Sequence, residues 1–202
     1  GRALASLAGA QPAWDARGGR ERAAILDAVA DAFEAATEGF VVRLAREAGK
    51  TRMAAIGEVR EAVDFCRYYA ACARSHFAEA LALPSPTGES NALSLHGRGV
   101  FACISPWNFP LAIFTGQIAA ALAAGNTVAA KPAEQTPLTA ALAVEVMLRA
   151  GLPADVIALL PGRGESVGAA LVADPRVAGV AFTGSTEVAA IIARTLASRL
   201  PL

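Results

Sequence analysis

Three cysteines and two histidines are all that this chain of 202 residues offers toward a metal centre or a disulfide framework. Cys66, Cys72 and Cys103, with His76 and His96, lack the paired spacing of a zinc site. Cys66 and Cys72 stand six apart on a helix-like segment, so they do not share a face. Small buried thiols in a reducing compartment are the expectation for all three. An excess of one charge is also missing: 18 basic and 18 acidic side chains balance. Without a basic stripe or a like-charged run, neither nucleic acid nor an anionic membrane surface is the main partner. No uninterrupted apolar stretch reaches membrane-spanning length, because Thr115, Gly116 and Gln117 break the Ala-rich region 111–124. The chain opens Gly1-Arg2-Ala3, without Met or a signal-peptide pattern, which we read as an internal piece of a longer cytoplasmic protein. What is plentiful is apolar surface. Hydrophobic residues make up 54% and charged residues 18%, enough for one substantial core or for parts of two domains.

Apolar positions recur at helical spacing over 20–46, and Gly49 marks the end of that helix. A second helical stretch runs from Thr51 to about Glu79, with Ile56, Val59, Val63, Cys66 and Tyr69 near one face, and the two are expected to pack antiparallel. Pro84, Pro86 and Gly88 then break the pattern. A weak strand alternates over 92–96, and Gly97-Arg98-Gly99 leads into a second strand over 100–104. From there helices and strands alternate. Helices are expected over 109–124, 137–150, 164–173 and 185–199, and strands over 127–131, 156–160 and 177–182. Strands separated by such helices pair in parallel with right-handed crossovers. The fold class is α/β: a helical lead-in (1–82), a Pro/Gly linker with a short strand (83–99), and a doubly wound, Rossmann-like parallel sheet (100–202).

Each parallel strand ends in residues suited to handling a ligand, and all four ends should share one edge of the sheet. The first delivers Ile104-Ser105-Pro106-Trp107-Asn108-Phe109-Pro110. The two prolines stiffen the loop, and the Asn108 amide is a good donor for a developing oxyanion; equally, Asn suits a plain proline-rich turn. The second delivers Lys131 and Glu134. A carboxylate there can bond ribose hydroxyls, or it can simply be a solvated loop acid. The third delivers Gly162-Arg163-Gly164, continuing to Gly168. The fourth delivers Thr183-Gly184-Ser185, either a phosphate seat at a helix start or an ordinary helix cap. No Gly-x-Gly-x-x-Gly follows the first strand, so the usual dinucleotide fingerprint is missing.

Pro106-Trp107-Asn108-Phe109-Pro110, Lys131-Pro132-Ala133-Glu134-Gln135-Thr136-Pro137 and Phe182-Thr183-Gly184-Ser185-Thr186-Glu187 together resemble the cofactor-domain motifs of the aldehyde dehydrogenase superfamily, in order and spacing. The resemblance runs from about Trp14 to the end of the chain. It implies NAD as cofactor, held by a variant of the Rossmann arrangement that dispenses with the missing fingerprint. By that resemblance Asn108 is the side-chain half of the oxyanion hole. Lys131 and Glu134 hold the adenosine ribose, Ser185 in Thr183-Gly184-Ser185 meets the pyrophosphate, and Gly164 and Gly168 allow close approach of adenine and its ribose. Ile104, Ser105, Pro106 and Trp107 line the cofactor cleft. Glu134 favours NAD over NADP, whose 2′-phosphate would meet a like charge.

The lead-in, with Arg46-Glu47-Ala48-Gly49-Lys50-Thr51, the segment 58–69 and Pro86-Thr87-Gly88-Glu89-Ser90-Asn91, looks like the L-glutamate γ-semialdehyde dehydrogenase module of the bifunctional PutA group in proline catabolism. That likeness implies an aldehyde substrate oxidised to a carboxylate, with Phe109 against its aliphatic part and Glu61 close to the same pocket. Glu61 reads equally as an exposed acid paired with Arg60 or Arg67. It also implies a homo-oligomer for the complete protein and a proline dehydrogenase domain on the same polypeptide. The family reaction uses a cysteine thiolate as nucleophile and a glutamate that activates water. Both follow the last motif found here, so they are expected beyond Leu202 and the 202 residues alone are expected to be inactive. Cys103, inside a strand and without a neighbouring base, is no substitute. Two other classes stay open: a non-catalytic NAD-binding or scaffold module, and a plain α/β interaction domain.

Overall fold

Apolar residues at helical spacing organise the first part of the computed structural model, which describes residues 1–199. Four helices come first: α1 (Arg2–Ala16), α2 (Gly18–Ala35), α3 (Thr37–Ala48) and α4 (Arg52–His76). Helices α2 and α4 run antiparallel, as expected. Arg20 meets Glu79 at 2.5 Å, Asp27 meets Arg74, and Arg67 reaches Glu34 at 2.7 Å, so rising numbers on one helix oppose falling numbers on the other. These exposed pairs add little stability. The seam itself is apolar, with Leu26, Val29, Ala30 and Phe33 buried against Val59, Ala62, Cys66 and Ala70.

Two expectations for this region change. The stretch 20–46 is two helices, broken at Ala36 (φ −91°, ψ 9°), where the Thr37 hydroxyl donates to Glu34 O at 2.6 Å. The break lets Phe33 and Phe40, both fully buried, meet with ring centroids 5.0 Å apart. A one-residue break leaves the apolar period intact on both sides, which hides it from periodicity. Helix α1 lies within the expected helical lead-in, but its limits were not read, since Gly9 and an internal Pro12 disguise it. Its Leu4 and Leu7 nevertheless pack under the sheet.

The weak strand expected over 92–96 is β2 (Asn91–Leu93), and it pairs antiparallel with β1 (Leu81–Leu83) in an exposed hairpin. The turn formers between them are the hairpin loop. The chain then builds β3 (Val100–Ile104), α5 (Ala112–Ala123), β4 (Thr127–Lys131), α6 (Pro137–Arg149), β5 (Ile157–Leu159), α7 (Ala169–Ala173), β6 (Val177–Phe182) and α8 (Thr186–Ala197). Where one helix was expected over 164–173, the turn Gly164–Gly168 is π-helical and only then continues as α7. Helix α5 starts at Ala112, not at Phe109, so residues 107–109 stand on a bend outside it.

Among the described residues the larger sheet is parallel, in the order β5-β4-β3-β6. Cys103, Val128 and Ala130 join a core with α2, α4, α5 and α6 on one face. Val100, Ala102 and Ala129 join Leu4, Leu7 and Leu171 on the other. This alternation of faces follows from the two-residue period of a strand. The chain is therefore mixed α/β with helices first and a parallel sheet covered on both faces. No described helix is long and apolar enough to cross a membrane.

The lead-in and the sheet are joined by two carboxylates. The helix N-caps Leu111 of α5 and Thr136 of α6 make no side-chain capping bond. Glu58 of α4 supplies one instead: its Oε1 accepts from Leu111 N at 2.7 Å and from Ala112 N at 3.2 Å. Glu47 of α3 supplies the other, accepting from Leu138 N at 2.7 Å and from Thr139 N at 2.6 Å. A carboxylate at a helix N-terminus satisfies orphan N–H groups and complements the helix dipole. Glu47→Ala is expected to lower stability by about 1–2 kcal/mol, the usual cost of a lost cap. Urea unfolding measures this, and an unchanged midpoint would refute the capping role.

Candidate active site

In this sheet β3, β4 and β5 step in one direction, and β6 then returns to the far side of β3. The strand order reverses between β3 and β6, and open α/β sheets bind ligands in the crevice at the carboxyl ends beside such a point. Backbone bonds stitch the four strand ends together there. Thr183 N donates to Ile104 O at 3.1 Å, Ser105 N to Lys131 O at 3.2 Å, and Leu160 N to Ala130 O at 2.8 Å. Gln117 on α5 adds a cross-brace, its Nε2 donating to Ile104 O at 3.3 Å and to Thr183 Oγ1 at 3.0 Å.

Past Ile104 and Ser105, which are buried, the loop rises into solvent. Pro106 is half-buried, Trp107, Asn108 and Phe109 are exposed, and Pro110 is buried again. Pro106 and Pro110 fix φ on either side of the Asn108 amide. Phe109 is held from beneath: Lys50 Nζ lies 3.9 Å from its ring centroid, and the same Nζ lies 2.6 Å from Glu58 Oε2. The loop therefore rests on an ion pair contributed by the helical lead-in.

On the neighbouring strand end the Lys131 side chain is 4% exposed, and its Nζ meets Glu134 Oε2 at 3.2 Å. Glu134 stays ionised below the usual carboxylate range. Its own backbone N–H lowers its pKa most, Lys131 then contributes by hydrogen bond and charge and Arg163 by charge, and burial opposes them. At the end of β6, Ser185 is the N-cap of α8, its Oγ accepting from Val188 N at 3.3 Å. The hydroxyl is thus used as a cap, beside exposed Thr183 and Gly184. Glu187 in the first turn is also held below its ordinary range, by its own backbone N–H and then by the Ser185 hydroxyl.

An apolar cavity of about 400 Å³ lies between the Gly164–Gly168 turn, α7 and α8, lined by Ile104, Gly164, Gly168, Val172, Ile191 and Ile192. Three residues singled out in the sequence, Ile104, Gly164 and Gly168, thus share one cavity. The α8 side chains were missed, although the apolar Val188 and Ile191 stand three residues apart in sequence; both are exposed in the structure. The volume is within the range of small-molecule sites. Ser105 Oγ, buried at the same edge, finds no hydrogen-bond partner among the described residues. An apolar slot, a buried ammonium beside an ionised carboxylate, and an orphan hydroxyl fit the base, ribose and polar linkage of a dinucleotide.

Glu61 is exposed on α4, and Arg67 pairs instead with Asp31 and Glu34. The buried acid of this helix is Glu58, which sequence reasoning passed over. Its position among Ala55, Val59 and Ala62 on the apolar face was the available signal, since an acid is rarely buried without a partner. Lys50 and Gln117 were also missed.

A model described as "Aldehyde dehydrogenase family" matches residues 1–201. The bifunctional protein PutA of Klebsiella aerogenes is 56% identical over 198 residues, covering 98% of this chain and 14% of the relative. Proline utilization A from Bradyrhizobium japonicum superposes with a TM-score of 0.95 at 52% identity, covering 98% of this chain and 20% of that one. A 1-pyrroline-5-carboxylate dehydrogenase from Thermus, solved with bound NAD, superposes with a TM-score of 0.92 at 38% identity over 96% of this chain and 37% of its own. The chain therefore spans only a small part of the relatives it matches.

Burial pushes the thiols of Cys66 and Cys103 up to about 12; for Cys66, Arg67 opposes the shift and Asp27 adds to it. An unfolded thiol ionises first, so these two groups cost stability as pH rises from about 9 toward about 12. With iodoacetamide at about pH 8, near the reference thiol pKa, native protein is expected to label at half-buried Cys72 and not at Cys66 or Cys103. Peptide mass spectrometry reads this directly. Labelling of Cys103 at the rate seen in denaturant would contradict its burial.

Proposed function

The chain belongs to the aldehyde dehydrogenase family, and we propose that it carries the cofactor-binding part and the oxyanion donor of an NAD-dependent enzyme that oxidises L-glutamate γ-semialdehyde to L-glutamate in proline catabolism. The observation that carries this reading is the clustering at one sheet edge. The exposed Asn108 is on the proline-stiffened loop that follows β3, the strand next to β4 with its Lys131–Glu134 pair, and the apolar cavity reaches Ile104 at the base of the same loop. The names of the similar proteins support the substrate class.

Each residue has a defined task. Lys131 and Glu134 bind the hydroxyls of the adenosine ribose, the carboxylate accepting and the ammonium donating. Gly164 and Gly168 let the cofactor approach the turn before α7. The first turn of α8, behind Thr183-Gly184-Ser185, faces the negative linkage. Ile104, Ser105, Pro106 and Trp107 wall the cleft. NAD, when bound, supplies the hydride acceptor. Asn108 donates its side-chain N–H to the oxygen of the aldehyde as negative charge develops there. Phe109 packs on the aliphatic part of the substrate, and Glu61 stands on the same side.

Cys103 is a poor nucleophile at neutral pH, since its thiolate is suppressed by burial. By the family resemblance, the attacking cysteine and the glutamate that activates water are residues other than Cys103. We place the protein in the cytoplasm, with a proline dehydrogenase domain on the same polypeptide.

In the full-length protein, Asn108→Ala should lower kcat by about 10²–10³, as loss of one oxyanion donor does, without weakening NAD binding measured by calorimetry. An unchanged kcat would rule out the oxyanion role. Glu134→Ala should narrow the preference for NAD over NADP, read as the ratio of kcat/KM values. A ratio that stays the same would remove Glu134 from the ribose site.

A further inference from the structure

Resting on the reading of Asn108 as oxyanion donor, the geometry points to Lys50 and Glu58 as positioning residues for it. The Glu58 side chain is 0% exposed and that of Lys50 is 12% exposed, so the pair is shielded from solvent and much less screened than a surface ion pair. Glu58 uses one oxygen for Leu111 N and Ala112 N, and its other oxygen lies 2.6 Å from Lys50 Nζ. That same ammonium sits 3.9 Å from the Phe109 ring centroid, within cation–π range. Asn108 therefore lies next to one pinned residue, Phe109, and three residues before another, Leu111. Between those two pins stands Pro110, whose φ is restricted. Little freedom is left for the residue that carries the amide.

Lys50 is itself held. Gly49 ends α3 in the left-handed conformation (φ 66°, ψ 22°), which a residue with a Cβ adopts only under strain. Thr51 caps α4, its side chain accepting from Ala54 N at 3.2 Å. A cap on each side fixes the α3–α4 connection and aims Lys50 at the loop. Neither Lys50 nor Glu58 touches the reacting atoms in the proposed mechanism, so their effect on rate passes through Asn108 and Phe109.

The test uses the full-length protein and the charge-neutral pair Lys50→Met/Glu58→Gln, which avoids leaving a lone buried charge that could unfold the single variant. We expect kcat for aldehyde oxidation to fall by about 10–100-fold, the scale of a misplaced catalytic group, with NAD affinity unchanged by calorimetry. Lys50→Arg, which keeps the cation over the ring, should recover much of the loss. In an Asn108→Ala background the pair substitution should cost much less, because the oxyanion donor it positions is gone and only the Phe109 contact is left to disturb. Hydrogen exchange read by mass spectrometry should accelerate about tenfold in residues 105–112 and stay constant in 127–131. An equal fractional loss of kcat in both backgrounds would overturn the proposal, since that is the signature of a general structural role. Unchanged exchange in 105–112 would overturn it too. If the unaltered protein oxidises no aldehyde, the proposed function fails, and the exchange measurement still decides whether this pair holds the loop.

Discussion

The buried carboxylate of Glu58 at the start of α5 is the interaction on which the site depends. It satisfies two backbone N–H groups that α5 cannot satisfy from its own N-cap, Leu111. Burying an unpaired carboxylate costs several kcal/mol, which makes Lys50 a requirement and not an ornament. Lys50 in turn reaches the Phe109 ring. Glu47 repeats the arrangement at α6, one strand along. The two helices that follow the site-bearing loops are thus started by acids from the lead-in, and the lead-in is structurally part of the site.

The sheet and its connections were legible in the sequence because their signals are local. Strands β3, β4 and β6 are short apolar runs bounded by Gly or Pro, and their expected limits of 100–104, 127–131 and 177–182 match the structure. The placing of Asn108, Lys131, Gly164 and Ser185 along one edge followed from parallel pairing alone. What was hidden depends on distance in space. The break at Ala36 serves the meeting of Phe33 and Phe40. Helix α1 is helical despite Gly9 and Pro12 because Leu4 and Leu7 find apolar partners under the sheet. The delayed start of α5 reflects Glu58, 53 residues upstream of Leu111 in sequence. No window of local sequence contains such partners.

The chemistry follows from what the edge can and cannot do. It offers an apolar slot, a buried ammonium, a carboxylate held ionised, and an amide on a stiff loop. Cys103, beneath this edge, is fully buried in β3 with its pKa raised by that burial. Strand β6 has no further neighbour on its outer side among the described residues, and its residues 179–182 are only half-buried. An open edge of this kind leaves backbone N–H and C=O groups unpaired. The chain spans 14% of the PutA relative from Klebsiella aerogenes and 37% of the Thermus dehydrogenase.

The most direct measurement is a diffraction structure of the full-length protein soaked with NAD at saturating concentration. The account predicts the dinucleotide across the carboxyl edge of the parallel sheet, its base in the slot between α7 and α8 and a ribose on Lys131 and Glu134. NAD density elsewhere in the protein, with that slot empty, would contradict it.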